Sequence, residues 1–264
     1  MSDVDITSLL NDAVQEGGLD NNSLQFINNT FDDIGSRIQA GLGTAADSIT
    51  SSETVLVSVC VDDSGSMAGS KGQAAIDGTN AVVSALMDSK QKSNILFSSR
   101  LLNGRIICPF NPLEQSVSLT QNNYVPRGMT PLYDETLVMM ATIAAKVQDC
   151  AANGIPVRSV SLIVTDGANT SGRSSISRVE QIIKGMLQQE NHIVAAMGIG
   201  ANQTEKNTFR TIFEQMGIPT NWILTPDNSP TEIRRAFAVF SNSAVRASQN
   251  AASFSKTLAG GFSS

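Results

Sequence analysis

Beyond Thr54 the spacing of apolar positions changes several times, and each change marks an element. Val55–Val61 is a β-branched apolar run with no polar face, the pattern of a central strand covered on both sides. Ala75, Ile76, Thr79, Val82, Val83, Leu86 and Met87 then recur at helical spacing. Asn94–Leu102 and Arg105–Phe110 are strand-like runs joined at Asn103-Gly104, a dipeptide that accepts the positive φ of a tight hairpin, so one sheet edge is expected to be antiparallel. Thr130-Pro131 reads as an N-cap with proline at the first helical position, opening a helix to about Asp149. A strand at Val157–Thr165, a helix at Ser174–Gln189, a strand at His192–Ile199 and a helix at Thr204–Met216 follow. A short strand at Trp222–Leu224 and a helix from Pro230 to Arg246, with Ile233, Phe237, Phe240 and Ala244 on one face, complete the body.

Such alternation predicts an α/β fold with a doubly wound, mostly parallel central sheet, one antiparallel edge strand and helices on both faces, joined by right-handed crossovers. Residues 1–52 form a polar extension in which Leu24, Ile27, Phe31, Ile34, Ile38 and Leu42 lie on one face of an amphipathic helix. A lone apolar stripe must bury itself, so docking on the body is expected ahead of partner binding or self-association. The body spans 53–248, and the Ala/Ser/Gly-rich 249–264 reads as a flexible tail.

At 264 residues the chain is near the ~250–300 at which one core stops growing, so a single large domain with extensions is expected. Charged residues are 16% of the chain and hydrophobic ones 41%, which excludes collagen-like and wholly disordered classes. The net charge of −6 and scattered cations disfavour a nucleic-acid partner. The first 50 residues hold one cation, Arg37, against eight acids, unlike a secretory signal or an anionic-membrane anchor. No apolar run reaches the ~20 residues of a membrane span. Cys60, Cys108 and Cys150, odd in number and without a CxxC, point to a reducing, cytoplasmic setting.

In such folds ligands sit beyond the carboxyl ends of the strands, where strand order reverses. Three oxygen side chains alternate after the first strand: Asp62, Ser64 and Ser66. A second carboxylate, Asp166, leaves the strand Val157–Thr165, and between the two lies the hydroxyl of Thr130. Hard oxygen donors without imidazole or thiolate suit Mg²⁺ or Mn²⁺ and not Zn²⁺ or Cu²⁺. Two formal negatives only neutralise a divalent ion and leave a position for an outside carboxylate. Asp63 is not in the set, because neighbours on an extended chain point oppositely; it faces solvent or an adjoining loop. Each element alone is an ordinary turn or cap, and it is their coincidence at strand ends that favours a site.

Asp62-x-Ser64-x-Ser66, Thr130 in a Gly-x-Thr-Pro-Leu stretch and Asp166 in Thr-Asp-Gly resemble the metal-ion-dependent adhesion site of von Willebrand factor A domains, intracellular bacterial type. The resemblance runs from about Glu53 to Arg246. It implies a doubly wound sheet, direct ligation by Ser64, Ser66 and Thr130, and ligation by Asp62 and Asp166 directly or through water. It also implies an acidic side chain from a protein partner, with a MoxR-type AAA+ ATPase or a kinase/phosphatase pair of a stress or tellurium-resistance system as company.

Enzyme readings fare less well. A haloacid-dehalogenase-type Asp-x-Asp has Ser64 at its second carboxylate, and a nucleophile elbow would need Gly where Ser64 precedes Ser66. His192, the sole histidine, opens an apolar strand, so no nucleophile-base pair is visible. Gly69-Ser70-Lys71-Gly72 lacks phosphate-loop spacing and reads as a turn, and Met129, Met139 and Met140 read as packing. Two alternatives stay open: an Mg/Mn-dependent hydrolase or phosphotransferase using Asp62 and Asp166, and an assembly protein that oligomerises through residues 24–42.

Overall fold

A computed structural model describes residues 5–249, 254 and 260–262. Its centre is β1 (Thr54–Val61), eight residues of which every one is buried. The chain then forms α4 (Ser70–Met87), the hairpin β2 (Ile95–Leu101) and β3 (Ile106–Pro112), α5 (Leu132–Ala152), β4 (Val157–Thr165) and α6 (Ile176–Gln188). It ends with β5 (His192–Gly198), α7 (Gln203–Gln215), β6 (Ile223–Leu224) and α8 (Pro230–Gln249), while α1 (Ile6–Gln15), α2 (Asn21–Thr30) and α3 (Ile34–Leu42) precede the sheet. Strand order is β3-β2-β1-β4-β5-β6. All pairings are parallel except β2 with β3, where Gly104 supplies the positive φ of the turn at +89°.

Strand order reverses between β1 and β4. The chain leaves β1 toward β2 on one side and later returns to β4 on the other, so right-handed crossovers place α4 on one face and α5, α6 and α7 on the opposite face. α8 packs against α4, and α5 against α6. The α4–α8 approach depends on Gly78, where a Cβ would stand 2.1 Å from the Phe237 ring. The body is therefore the α/β doubly wound sheet expected from periodicity.

Two expectations about local structure are corrected. The 24–42 stripe is not one helix. Asn29, Thr30, Asp32 and Asp33 are weak helix formers, and Phe31 adopts extended backbone, which separates α2 from α3. All six stripe residues are nonetheless buried, because α2 packs on α6, and α3 on α5 and β3. That face is used within the chain. A helix not singled out from the sequence, α1, is capped by Asp5, whose carboxylate accepts from the Thr7 and Ser8 amides. Its Ile6, Leu9, Leu10 and Ala13 carry the same spacing in shorter form.

The second correction is at α5, which begins at Leu132, with Pro131 as its cap and no side-chain capping bond. Thr130 lies outside the helix. The proposed tail, 249–264, falls mostly outside the described residues; within it Phe254 is buried and the Phe262 ring meets Trp222 edge-on at 4.9 Å.

His192 is buried at the start of β5, between Ser159 Oγ at 2.6 Å from Nδ1 and Gln189 Oε1 at 3.0 Å from Nε2. Burial lowers its pKa to about 4. The unfolded chain binds the proton first, near the ordinary value, so this residue's contribution is complete above about pH 6.5 and lost as pH falls toward 4.

Two outcomes are expected in denaturant titrations. Gly78→Ala should destabilise the chain by about 1–3 kcal/mol through overpacking of α4 against α8. Between pH 7 and 4.5, His192→Gln should lose less stability than the unaltered chain, by up to about 3 kcal/mol. The comparison isolates His192, since the buried Asp63, with its pKa pushed up to about 6, acts in the opposite direction.

Candidate metal centre

The pairing of β1 with β4 builds the site. Val61 lies beside Val164 in the parallel register, and Asp62 extends the ladder by donating its amide to the Val164 carbonyl at 2.9 Å. The next residues on the two strands, Asp62 and Asp166, are thereby delivered to the same end of the sheet at the reversal point.

Asp62 is 0% exposed. Its Oδ1 accepts from the Ser64 amide at 2.7 Å and its Oδ2 from Thr165 Oγ1 at 2.5 Å. Its carbonyl accepts from the Tyr124 hydroxyl at 2.6 Å. Burial pushes the Asp62 carboxyl above its ordinary range; the bonds from Thr165 and Ser64 oppose the shift and the nearby Asp166 adds to it. The carboxylate is thus held in one rotamer in a place where its charge is costly.

Ser64 and Ser66 point together, with hydroxyls 3.1 Å apart, because a short turn at Gly65–Met67 follows Ser64. Ser66 Oγ donates to Asp166 Oδ1 at 2.6 Å. Lys71, on the first turn of α4, is ion-paired with Asp166 Oδ2. The Gly69–Gly72 stretch is, as expected, a turn entering a helix: Gly69 has φ +78° and α4 starts at Ser70. Where that turn leaves Lys71 could not be read from sequence.

Thr130 reaches the same place from the loop before α5. Its amide donates to Thr170 Oγ1 at 2.9 Å, and its carbonyl accepts from the Thr170 amide at 3.0 Å. Its hydroxyl lies 3.4 Å from where a Cβ on Gly167 would stand. Buried at 4% exposure, Thr130 places that hydroxyl next to the loop that carries Asp166. Met129, on the same loop, is 61% exposed, which corrects the expectation that it is packing; Met139 and Met140 are buried as expected.

Asp63 is buried and faces a neighbouring loop. Its Oδ1 accepts from the Asn103 amide at 3.0 Å and its Oδ2 from the Asn103 side chain, so it ties the β2–β3 turn to the site loop. Thr165, Tyr124, Asn103 and Lys71 are the supporting residues that sequence reasoning missed. Of these only Thr165, inside the Thr-Asp-Gly stretch, carried a local signal.

Two carboxylates and three hydroxyls, with Asp62, Ser66 and Asp166 held by side-chain hydrogen bonds and Thr130 held at its backbone, fit a hard divalent cation. The chemistry differs from a thiolate or imidazole site: among the described residues no three His, Cys, Asp or Glu side chains group as a metal cluster. Also among the described residues, no helix is long and apolar enough to cross a membrane.

No family model matches the chain, and no curated protein sequence matches it. Solved structures do. The pilus adhesin SpaC from Lactobacillus rhamnosus GG, in an open conformation, matches with TM-score 0.54 at 12% identity, over 74% of this chain and 30% of that one. Proximal thread matrix protein 1 from the mussel byssus matches with TM-score 0.49 at 18% identity, over 72% of this chain and 47% of that one. A structure of the same mussel protein with a zinc-occupied MIDAS motif matches with TM-score 0.46 at 16% identity, over 72% of this chain and 47% of that one. The chain spans less than half the length of these proteins. At 12% identity the likeness to the pilus adhesin concerns the fold alone, an α/β body with a mostly parallel six-stranded sheet.

Thr165→Val should raise the Asp62 carboxyl pKa further, read by NMR titration of that carboxyl. It should also cost about 1–3 kcal/mol at pH 7, since a buried carboxylate oxygen loses its donor.

Proposed function

We propose that this chain is a metal-dependent protein-recognition module in which Asp62, Ser64, Ser66, Thr130 and Asp166 hold Mg²⁺ or Mn²⁺. The observation that supports the reading is that Asp62, Ser64, Ser66 and Asp166 meet at one end of the sheet, across the β1–β4 reversal, with the Thr130 hydroxyl beside the loop that carries Asp166. When bound, the ion supplies an electrophilic centre with a coordination position open to an acidic side chain of a partner.

The chain's residues divide the remaining work. Ser64, Ser66 and Thr130 contribute neutral oxygens, so the ion's charge is only balanced by Asp62 and Asp166 and stays attractive to an outside anion. Thr165 and the Ser64 amide hold Asp62 in position. The exposed Val125 and Met129, on the loop leading to Thr130, give an arriving protein an apolar rim. A cytoplasmic setting and a partner such as a MoxR-type AAA+ ATPase or a kinase/phosphatase pair belong to this proposal through the resemblance in sequence.

We infer that the module is not an enzyme. His192 supports this: it lies at the amino end of β5, whereas the candidate site lies beyond the carboxyl ends of the parallel strands β1 and β4, and its two ring nitrogens are engaged by Ser159 and Gln189. The stripe at 24–42 supports a docked extension over oligomerisation, being buried within the chain.

Calorimetric titration with Mn²⁺ should show binding by the full chain. Asp62→Ala and Thr130→Ala should weaken it by about a hundredfold or more, with circular dichroism unchanged. Partners captured by the tagged chain in Mg²⁺ should be released by EDTA; equal retention in chelator overturns the metal as recognition element. Generic phosphoesters with Mg²⁺ or Mn²⁺ should not turn over, and turnover lost in Asp62→Asn would replace this reading by the hydrolytic one.

A further inference from the structure

Both oxygens of Asp166 are engaged within the chain. Ser66 Oγ donates to Oδ1 at 2.6 Å, and the Lys71 ammonium is paired with Oδ2. The two members of that pair differ in freedom. The Asp166 side chain is 2% exposed, whereas the Lys71 side chain is 24% exposed and carries a flexible four-carbon stem. A buried carboxylate is costly to leave without a cation, and Asp62 lies close enough to raise the cost through like-charge repulsion. Lys71 can therefore depart only when another positive charge takes over.

We propose that Lys71 is a built-in counter-ion of the site, which holds Asp166 in the metal-free protein and is displaced when a divalent cation binds. This rests on the divalent-ion reading above and deepens it. The ammonium and the ion compete for the same carboxylate, so Lys71 weakens ion binding and keeps the site folded and charge-compensated in the ion's absence. The exchange also changes the sign of the site. Asp62, Asp166 and Lys71 together carry one net negative charge; with a divalent ion added and Lys71 still at the rim, the same group carries one net positive charge. That reversal switches the surface from repelling to attracting an acidic partner, and the freed ammonium becomes a second point of attraction for it.

A simple cross-link between α4 and the loop after β4 makes the opposite forecast. If Lys71 only braced those elements, removing it would loosen the site and leave ion binding equal or weaker.

Calorimetric titration of Mn²⁺ into the full chain, Lys71→Gln, Lys71→Arg and Asp62→Ala separates these cases. Lys71→Gln should bind about tenfold more tightly than the unaltered chain, the equivalent of one charge-assisted hydrogen bond, and Lys71→Arg should not gain affinity. In the unaltered chain, acetylation of Lys71 by an N-hydroxysuccinimide ester, read by mass spectrometry, should accelerate several-fold when Mn²⁺ is added. Equal or weaker Mn²⁺ binding by Lys71→Gln, alongside Asp62-dependent binding by the unaltered chain, overturns this proposal and leaves the metal reading standing. Absence of Mn²⁺ binding by both overturns the two together. Should Lys71→Gln fail to fold, the labelling decides: Lys71 reactivity that Mn²⁺ does not change overturns the counter-ion role.

Discussion

Two carboxylates lie at the end of adjacent parallel strands, and most of what surrounds them follows from the need to keep that charge tolerable. The β1–β4 register, Val61 beside Val164, carries the chain on to Asp62 and Asp166 at the same sheet edge. Both side chains are almost wholly buried. Burial disfavours the Asp62 charge and the neighbouring Asp166 adds to that, so the pair needs donors and a cation close by. Thr165, the Ser64 amide, Ser66 and Lys71 are that compensation.

The same constraint explains the loops. Tyr124 and the Arg127 amide bind the carbonyls of Asp62 and Asp63, and the amide of Gly65 binds the carbonyl of Gly128, so the irregular chain before α5 is laced to the site loop. Thr130 is held at its backbone by Thr170. Its position is set by loop-to-loop bonds, with its side chain free of capping duty. Asp63 and Asn103 add the hairpin turn to the same network. Four separate stretches of chain are thus positioned around one point by short polar bonds on a rigid sheet, the arrangement that preorganises a binding centre.

The amino-terminal helices serve the body from the other direction. α1 and α3 pack on α5, and α2 on α6, covering helices that would otherwise be the outer layer of one sheet face. Arg37 of α3 is ion-paired with the buried Glu135 in the first turn of α5, a few residues beyond Thr130. The Arg37 guanidinium also sits over the Phe31 ring at 5.4 Å. The extension is joined to the domain both through its apolar stripe and through a charge pair near the site's end of α5.

The fold was legible in the sequence because strand and helix declare themselves locally: eight consecutive buried positions in β1, helical spacing in α4 and α8, and Asn103-Gly104 at the hairpin. The break between α2 and α3 was not, since the stripe keeps its spacing across it and only the backbone at Phe31 departs. The five candidate ligands were legible as a set because each stands in a short stretch at a strand end or before a helix. What surrounds them was not. Lys71 reaches Asp166 across 95 positions and Asn103 reaches Asp63 across 40. The amino-acid order by itself determined which oxygen-bearing groups stand at the strand ends and that a mostly parallel sheet would carry them. Tertiary structure alone decided their neighbours, because hydrogen bonds and ion pairs between distant segments depend on distance in space, which local periodicity does not encode.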